Sequence, residues 1–115
     1  MIFIVTFVLA LALHLLLGWA WTICAGAIAG IWAVKGGWRI GALAVGAEWL
    51  ALIIYNYSVA PDAVGEMTRA FGGILGGLDW FVTVILTLLV GLLLGGLGGW
   101  FGTQVALMLG RRGTG

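Results

Sequence analysis

Residues 80–110 decide the fold, and they read WFVTVILTLLVGLLLGGLGGWFGTQVALMLG. This stretch carries no charged residue and exceeds the about 20 apolar residues that a transmembrane helix needs. Two further stretches have the same character: residues 1–34 carry no charge, and residues 40–61 carry only Glu48. The pattern predicts an all-α membrane protein, built as a small transmembrane helical bundle.

The composition supports the same fold class. The 115 residues are 63% hydrophobic and 8% charged, whereas soluble domains are about 45–50% apolar and about 25% charged. A lipid bilayer is therefore the expected surrounding. Five basic residues and a net charge of +1 argue against nucleic-acid binding, which needs a basic surface. We also expect no enzyme, because one histidine and one cysteine cannot form a catalytic set or a metal cluster.

The chain is predicted to form a single transmembrane domain over residues 1–115. The spacing of its tryptophans divides this domain into helices. Trp and Tyr concentrate at membrane–water interfaces, and the 20-residue step from Trp80 to Trp100 spans about 30 Å of helix. The 19-residue step from Trp19 to Trp38 also fits one crossing and places Trp19 and Trp21 at an interface, with Gly18 as the hinge. We therefore predict four transmembrane helices, at about 2–17, 20–34, 40–57 and 80–109. The alternative has three, with residues 1–34 as one long tilted helix, which would bring His14 to mid-depth, where it could pair with Glu48.

A short amphipathic helix is predicted at about 61–71, between the last two spans. Pro61 suits the first turn of a helix, and Val64, Met67 and Phe71 follow at helical spacing. Acidic and basic residues occupy the opposite side, which is typical of a helix lying in the membrane interface.

The charges predict the orientation. Basic residues mark cytoplasmic segments, and all but Arg69 lie after the second and the last predicted helix, at Lys35, Arg39, Arg111 and Arg112. The segment with Asp62 and Glu66 is then external and the C-terminus cytoplasmic. We expect a prokaryotic cytoplasmic (inner) membrane.

Glycines form two faces suited to close helix packing. On the last helix they recur every three or four residues, and a smaller set lies on the second helix; the predicted packing residues are Gly91, Gly95, Gly98, Gly99, Gly102, Gly26 and Gly30. Glycine lets two backbones approach closely, either within the chain or between chains. The first functional hypothesis is an accessory or structural subunit, or a self-assembling component, of a membrane complex. The expected partners are a second copy or other membrane subunits.

Glu48 is the sharpest polar feature, because it lies near the predicted bilayer midplane. Gly41, Ala44 and Glu48 share a helix face, so the acid is expected to point toward a neighbouring helix, where Thr87 is a candidate partner. An acid inside a membrane indicates a functional site. The alternative hypothesis is therefore a homo-oligomeric channel or a proton- or ion-coupled transporter that uses Glu48.

His14 supplies the third hypothesis. It follows Ala10 by four residues and precedes Trp19 and Trp21, and this stretch of about a dozen residues resembles the pigment-binding segment of bacterial antenna polypeptides. The resemblance implies haem or chlorophyll bound through a ring nitrogen of His14. Antenna chains have a single span, unlike this chain. Apart from this site, no cofactor is predicted.

Overall fold

The computed structural model describes residues 1–110, and this part of the chain is all helical. Its five α-helices, in chain order, are α1 (Ile2–Leu17), α2 (Thr22–Ala33), α3 (Gly37–Val59), α4 (Pro61–Ile74) and α5 (Trp80–Met108). A 3₁₀ turn, Trp19–Trp21, connects α1 to α2.

Helix length corrects the expectation of four transmembrane helices. Within residues 1–110, only α3 and the Phe81–Met108 part of α5 are long and apolar enough to cross a membrane. The 16 residues of α1 and the 12 of α2 extend only about 24 Å and 18 Å, short of a hydrocarbon core of about 30 Å. The three-helix alternative is also wrong, because α1 ends at Leu17 and the chain turns at Gly18.

The long helices α3 and α5 form an antiparallel pair. Gly37 meets Gly99, Gly41 meets Gly95, and the ring of Trp49 packs over Gly91. This register sets the end of α5 beside the start of α3. The two helices therefore form the frame on which the shorter elements pack.

The hairpin of α1 and α2 covers only one half of this frame. Ala10 clusters with Val45 of α3, and His14 lies beside Glu48, so α1 runs parallel to α3. The Trp19 and Trp49 rings are 6.2 Å apart, which puts the hairpin tip at half the length of α3. Trp19 and Trp21, which were predicted to lie at a membrane interface, are therefore level with the middle of α3 and not with its end.

Gly18 makes the tight turn at the hairpin tip possible. Its backbone has φ +112° and ψ 167°, a combination that is essentially restricted to glycine. Its N–H donates to the carbonyls of Leu13 and His14, which closes the last turn of α1. The chain can then reverse within the Trp19–Trp21 turn.

Helix α4 packs against the other half of the frame. Pro61 begins it, the Tyr57 hydroxyl lies 3.3 Å from the Thr68 hydroxyl, and Gly72 lies against the carbonyl of Leu78. The helix extends to Ile74, beyond the predicted end near residue 71. Gly76 and Gly77, both with positive φ, then turn the chain into α5.

The described charges are distributed unequally between the two ends of the molecule. Lys35 lies in the turn between α2 and α3 and Arg39 in the first turn of α3, whereas Asp62 and Glu66 outnumber Arg69 on α4 at the far end of α3. Arg111 and Arg112, which also entered the predicted orientation, lie outside the described residues.

Candidate functional site

A buried acid and a histidine meet at the centre of the frame. Glu48 lies midway along α3 with 0% of its surface exposed, and its Oε1 is 2.9 Å from Nδ1 of His14. The sequence suggested this pairing only for a single long first helix. The structure achieves it with a hairpin, because the half-length α1 ends just beyond the level of Glu48.

Apolar side chains surround the His14–Glu48 pair. Ala10, Ala25, Val45 and Trp49 form the buried cluster at this level. The ring of Trp49 also lies 5.5 Å from the ring of His14, at an interplanar angle of 55°. Because apolar neighbours supply no hydrogen bonds, the two polar side chains depend on each other.

The pair is not fully satisfied by hydrogen bonds. Among the described residues, neither carboxylate oxygen of Glu48 nor Nε1 of Trp49 has a hydrogen-bond partner, and the 2.9 Å contact lacks hydrogen-bond alignment. Buried polar groups nearly always have partners, so such exceptions often mark a functional position. Chemically, this site has unused capacity to bind a proton or a small cation.

Thr87 makes no hydrogen bond to Glu48 in the described structure. Its hydroxyl donates to the carbonyl of Thr83 at 2.9 Å, and the Thr83 hydroxyl is 3.4 Å from the carbonyl of Asp79. Both threonines thus bond to their own helix, which is common for this residue type.

The two predicted glycine faces pack against each other inside the chain. A Cβ on Gly26 would meet the carbonyl of Gly95, and one on Gly30 would overlap that of Gly99. Gly98 and Gly102 lie against the backbone carbonyls of Ile23 and Ala27. The sequence could not tell packing within the chain from packing between chains, and here the stripe of α5 is occupied by α2 and α3.

The structure constrains cofactor binding at His14. Oε1 of Glu48 lies 2.9 Å from Nδ1, so Nε2 is the ring nitrogen that would ligate haem or chlorophyll. Within residues 1–110, no group of three or more His, Cys, Asp or Glu side chains could hold a metal ion. Haem or chlorophyll binding stays a prediction from the antenna resemblance.

Trp49 is the site residue that the sequence reasoning missed. It follows Glu48 directly, and its ring lies against Gly91, His14 and Trp19. A glycine on the facing helix was the available signal, since a large ring needs a small neighbour.

Comparison with protein families, with curated proteins and with solved structures finds no match to this chain. Function must therefore be inferred from the His14–Glu48 pair and from the surfaces of the bundle.

Proposed function

We propose that this protein is an integral membrane protein in which α3 and α5 cross the bilayer and the α1–α2 hairpin enters from one side and turns back at mid-depth. Large apolar side chains are exposed around the bundle, including Leu16 and Ile74, both at 81%. Such a surface suits a hydrocarbon solvent, since extended apolar patches in water lead to association.

The charge separation supports one orientation in this membrane. The Lys35 end faces the cytoplasm and α4 lies outside, because basic residues are retained on the cytoplasmic side. The end of α5 lies at the same end of the molecule as the Lys35 turn, so we propose that the C-terminal segment is cytoplasmic. We assign the protein to a prokaryotic inner membrane, as the sequence analysis predicts.

Within the membrane, we propose that the protein serves as a structural or accessory component of a larger assembly. The exposed hairpin tip is the observation that carries this proposal. Among the described residues, the carbonyls of Leu16 and Leu17 accept no hydrogen bond, and Trp19 and Trp21 are 56% and 50% exposed. Irregular backbone at membrane depth is tolerated only inside protein or beside a water-filled cavity. The apolar side chains at this tip favour cover by a neighbouring protein, a second copy or another subunit.

Trp21→Ser tests the assembly. We expect wild-type protein, extracted from its native membrane in mild detergent, to appear in native mass spectrometry with a second copy or a stoichiometric partner. Trp21→Ser should release the 12.0 kDa chain, because it removes the exposed aromatic surface of the tip. Trp100→Ser, at a similarly exposed (55%) tryptophan on α5, should leave the assembly intact. A wild-type chain that is always alone contradicts the proposal.

The His14–Glu48 pair favours a second candidate function, a channel or carrier for protons or small cations. Glu48 is fully buried halfway along α3, and the partly exposed side chain of His14 lies 2.9 Å from it. Ionisable residues inside a membrane typically mark ion pathways and proton relays. The orphaned carboxylate oxygen is consistent with a group that exchanges a proton or cation.

Flux through purified protein in liposomes tests this second function. We expect Glu48→Gln to lower proton or cation flux about tenfold or more, because an amide cannot exchange a proton at neutral pH. Glu66→Gln removes an exposed acid on α4 and should leave the flux unchanged. Wild-type liposomes without flux, or equal flux in Glu48→Gln, would exclude a transport role for the pair.

A further inference from the structure

A cavity lies between α4 and the adjoining halves of α3 and α5. Its volume is about 460 Å³, within the range of about 300–1,000 Å³ typical of small-molecule sites. It lies on the α4 side of the frame, away from the α1–α2 hairpin.

The cavity is most polar where α3 meets α4, and two threonines of α5, Thr83 and Thr87, add hydroxyl groups to a mainly apolar lining. Asn56, Tyr57 and Thr68 line it where α3 meets α4, and the Tyr57 and Thr68 hydroxyls are 3.3 Å apart there. Ile53 and Val90 line the part nearer the centre of the frame. The lining residues include no charged side chain. This gradient suits an amphiphile that has an uncharged or zwitterionic head and an apolar tail.

The apolar face of α4 lines this cavity and is only partly covered by protein. Val64, Met67, Phe71 and Leu75 all contribute to the lining, yet Met67 and Phe71 stay 59% and 55% exposed. An amphipathic helix is held in place by burying its apolar face. Within the described residues, α3 and α5 do not bury that face completely, so an apolar occupant would complete its packing.

We propose that this cavity binds one fatty-acyl chain of a zwitterionic bilayer lipid, with the headgroup at the Asn56–Tyr57 rim. The inference rests on the proposed membrane location. In that location α4 lies at the depth where acyl chains meet headgroups. The apolar molecules that surround the cavity there are lipid tails. The fatty-acyl chain enters from the side between α3 and α4, and its methyl end extends toward Val90.

Lipid retention tests the site. The protein is reconstituted into dioleoylphosphatidylcholine vesicles, extracted again in mild detergent, and examined by native mass spectrometry for bound lipid. Leu86→Trp places a large ring in the cavity wall and should reduce the retained lipid about tenfold. Ile85→Trp is its matched control, since Ile85 neighbours Leu86 on α5 but does not line the cavity; it and the wild type should each retain one lipid. Val90→Phe fills the same cavity. If Leu86→Trp does not fold, the lipid retained by Val90→Phe is compared with that of the control instead.

The outcomes separate this inference from the membrane placement. Flotation of the vesicles first shows whether the chain inserts, and failure to insert contradicts the membrane location itself. Insertion without a retained lipid, or equal retention by the wild type and the cavity-filling variants, overturns the lipid site alone.

Discussion

Replacing Gly95 with alanine is expected to lower the free energy of unfolding by about 3 kcal/mol, the upper part of the usual range for overpacking. The new Cβ would overlap the carbonyl of Gly41 and lie 2.7 Å from Cβ of Val45. Both obstacles belong to α3, and α2 approaches the same glycine through Gly26. Because backbone atoms cannot rotate aside as a side chain can, the helices themselves must separate.

Gly96→Ala is the matched control for this prediction. A Cβ on Gly96 would find its nearest neighbour, Cβ of Ala42, at 3.5 Å, an ordinary contact. The higher helix propensity of alanine should then leave stability unchanged or raise it by up to about 1 kcal/mol. Reversible unfolding in mixed micelles, followed by circular dichroism, measures both variants. Equal stability of the two would contradict the close packing of α5 between α2 and α3.

His14→Leu is expected to be the most damaging change at the site, with a loss of about 1–3 kcal/mol, because it leaves the buried carboxyl group of Glu48 without its polar neighbour. Glu48→Met should also destabilise, since it removes the polar neighbour of His14. Replacing both side chains in the same chain should restore stability to near the wild-type value, because replacing both partners of a polar contact with apolar groups is often nearly neutral.

Unfolding measurements on the wild type, the two single variants and the double variant form a thermodynamic cycle. Residues in contact give interaction energies of about 0.5–3 kcal/mol, whereas independent positions are additive. The infrared carboxyl band of Glu48, measured with and without His14, reports whether the histidine sets the protonation of the acid. Additive stabilities combined with an unchanged band would show that the two side chains do not interact.

Helix boundaries were largely predictable from local sequence. The predicted ranges 2–17 and 80–109 differ by at most one residue from α1 and α5, because Gly18, Asp79 and Gly110 flank uninterrupted apolar runs. The prediction was wrong about how far α2 extends along the neighbouring helices. The 19-residue step from Trp19 to Trp38 suggested one full crossing, but it includes the turn around Val34, where φ is 56°, and α2 keeps only 12 residues.

The candidate site was predictable in part, for a related reason. Glu48 is evident as a lone charge within an apolar stretch. Its contact with His14 depends on the relative heights of two helices, which no local pattern encodes. The glycine faces likewise show that something packs closely, while the identity of that neighbour, α2 and α3, is a property of the whole fold.

The half-length α1–α2 hairpin also has a consequence for biosynthesis. In the proposed orientation the start of α1 and the Lys35 turn stay on the ribosome side, so no hydrophilic loop of the first 36 residues has to be translocated. Only the segment between α3 and α5, which contains α4, must pass through the bilayer. A single α3–α5 insertion event, with the hairpin folding in afterwards from the side on which it was made, is then sufficient to place these five helices.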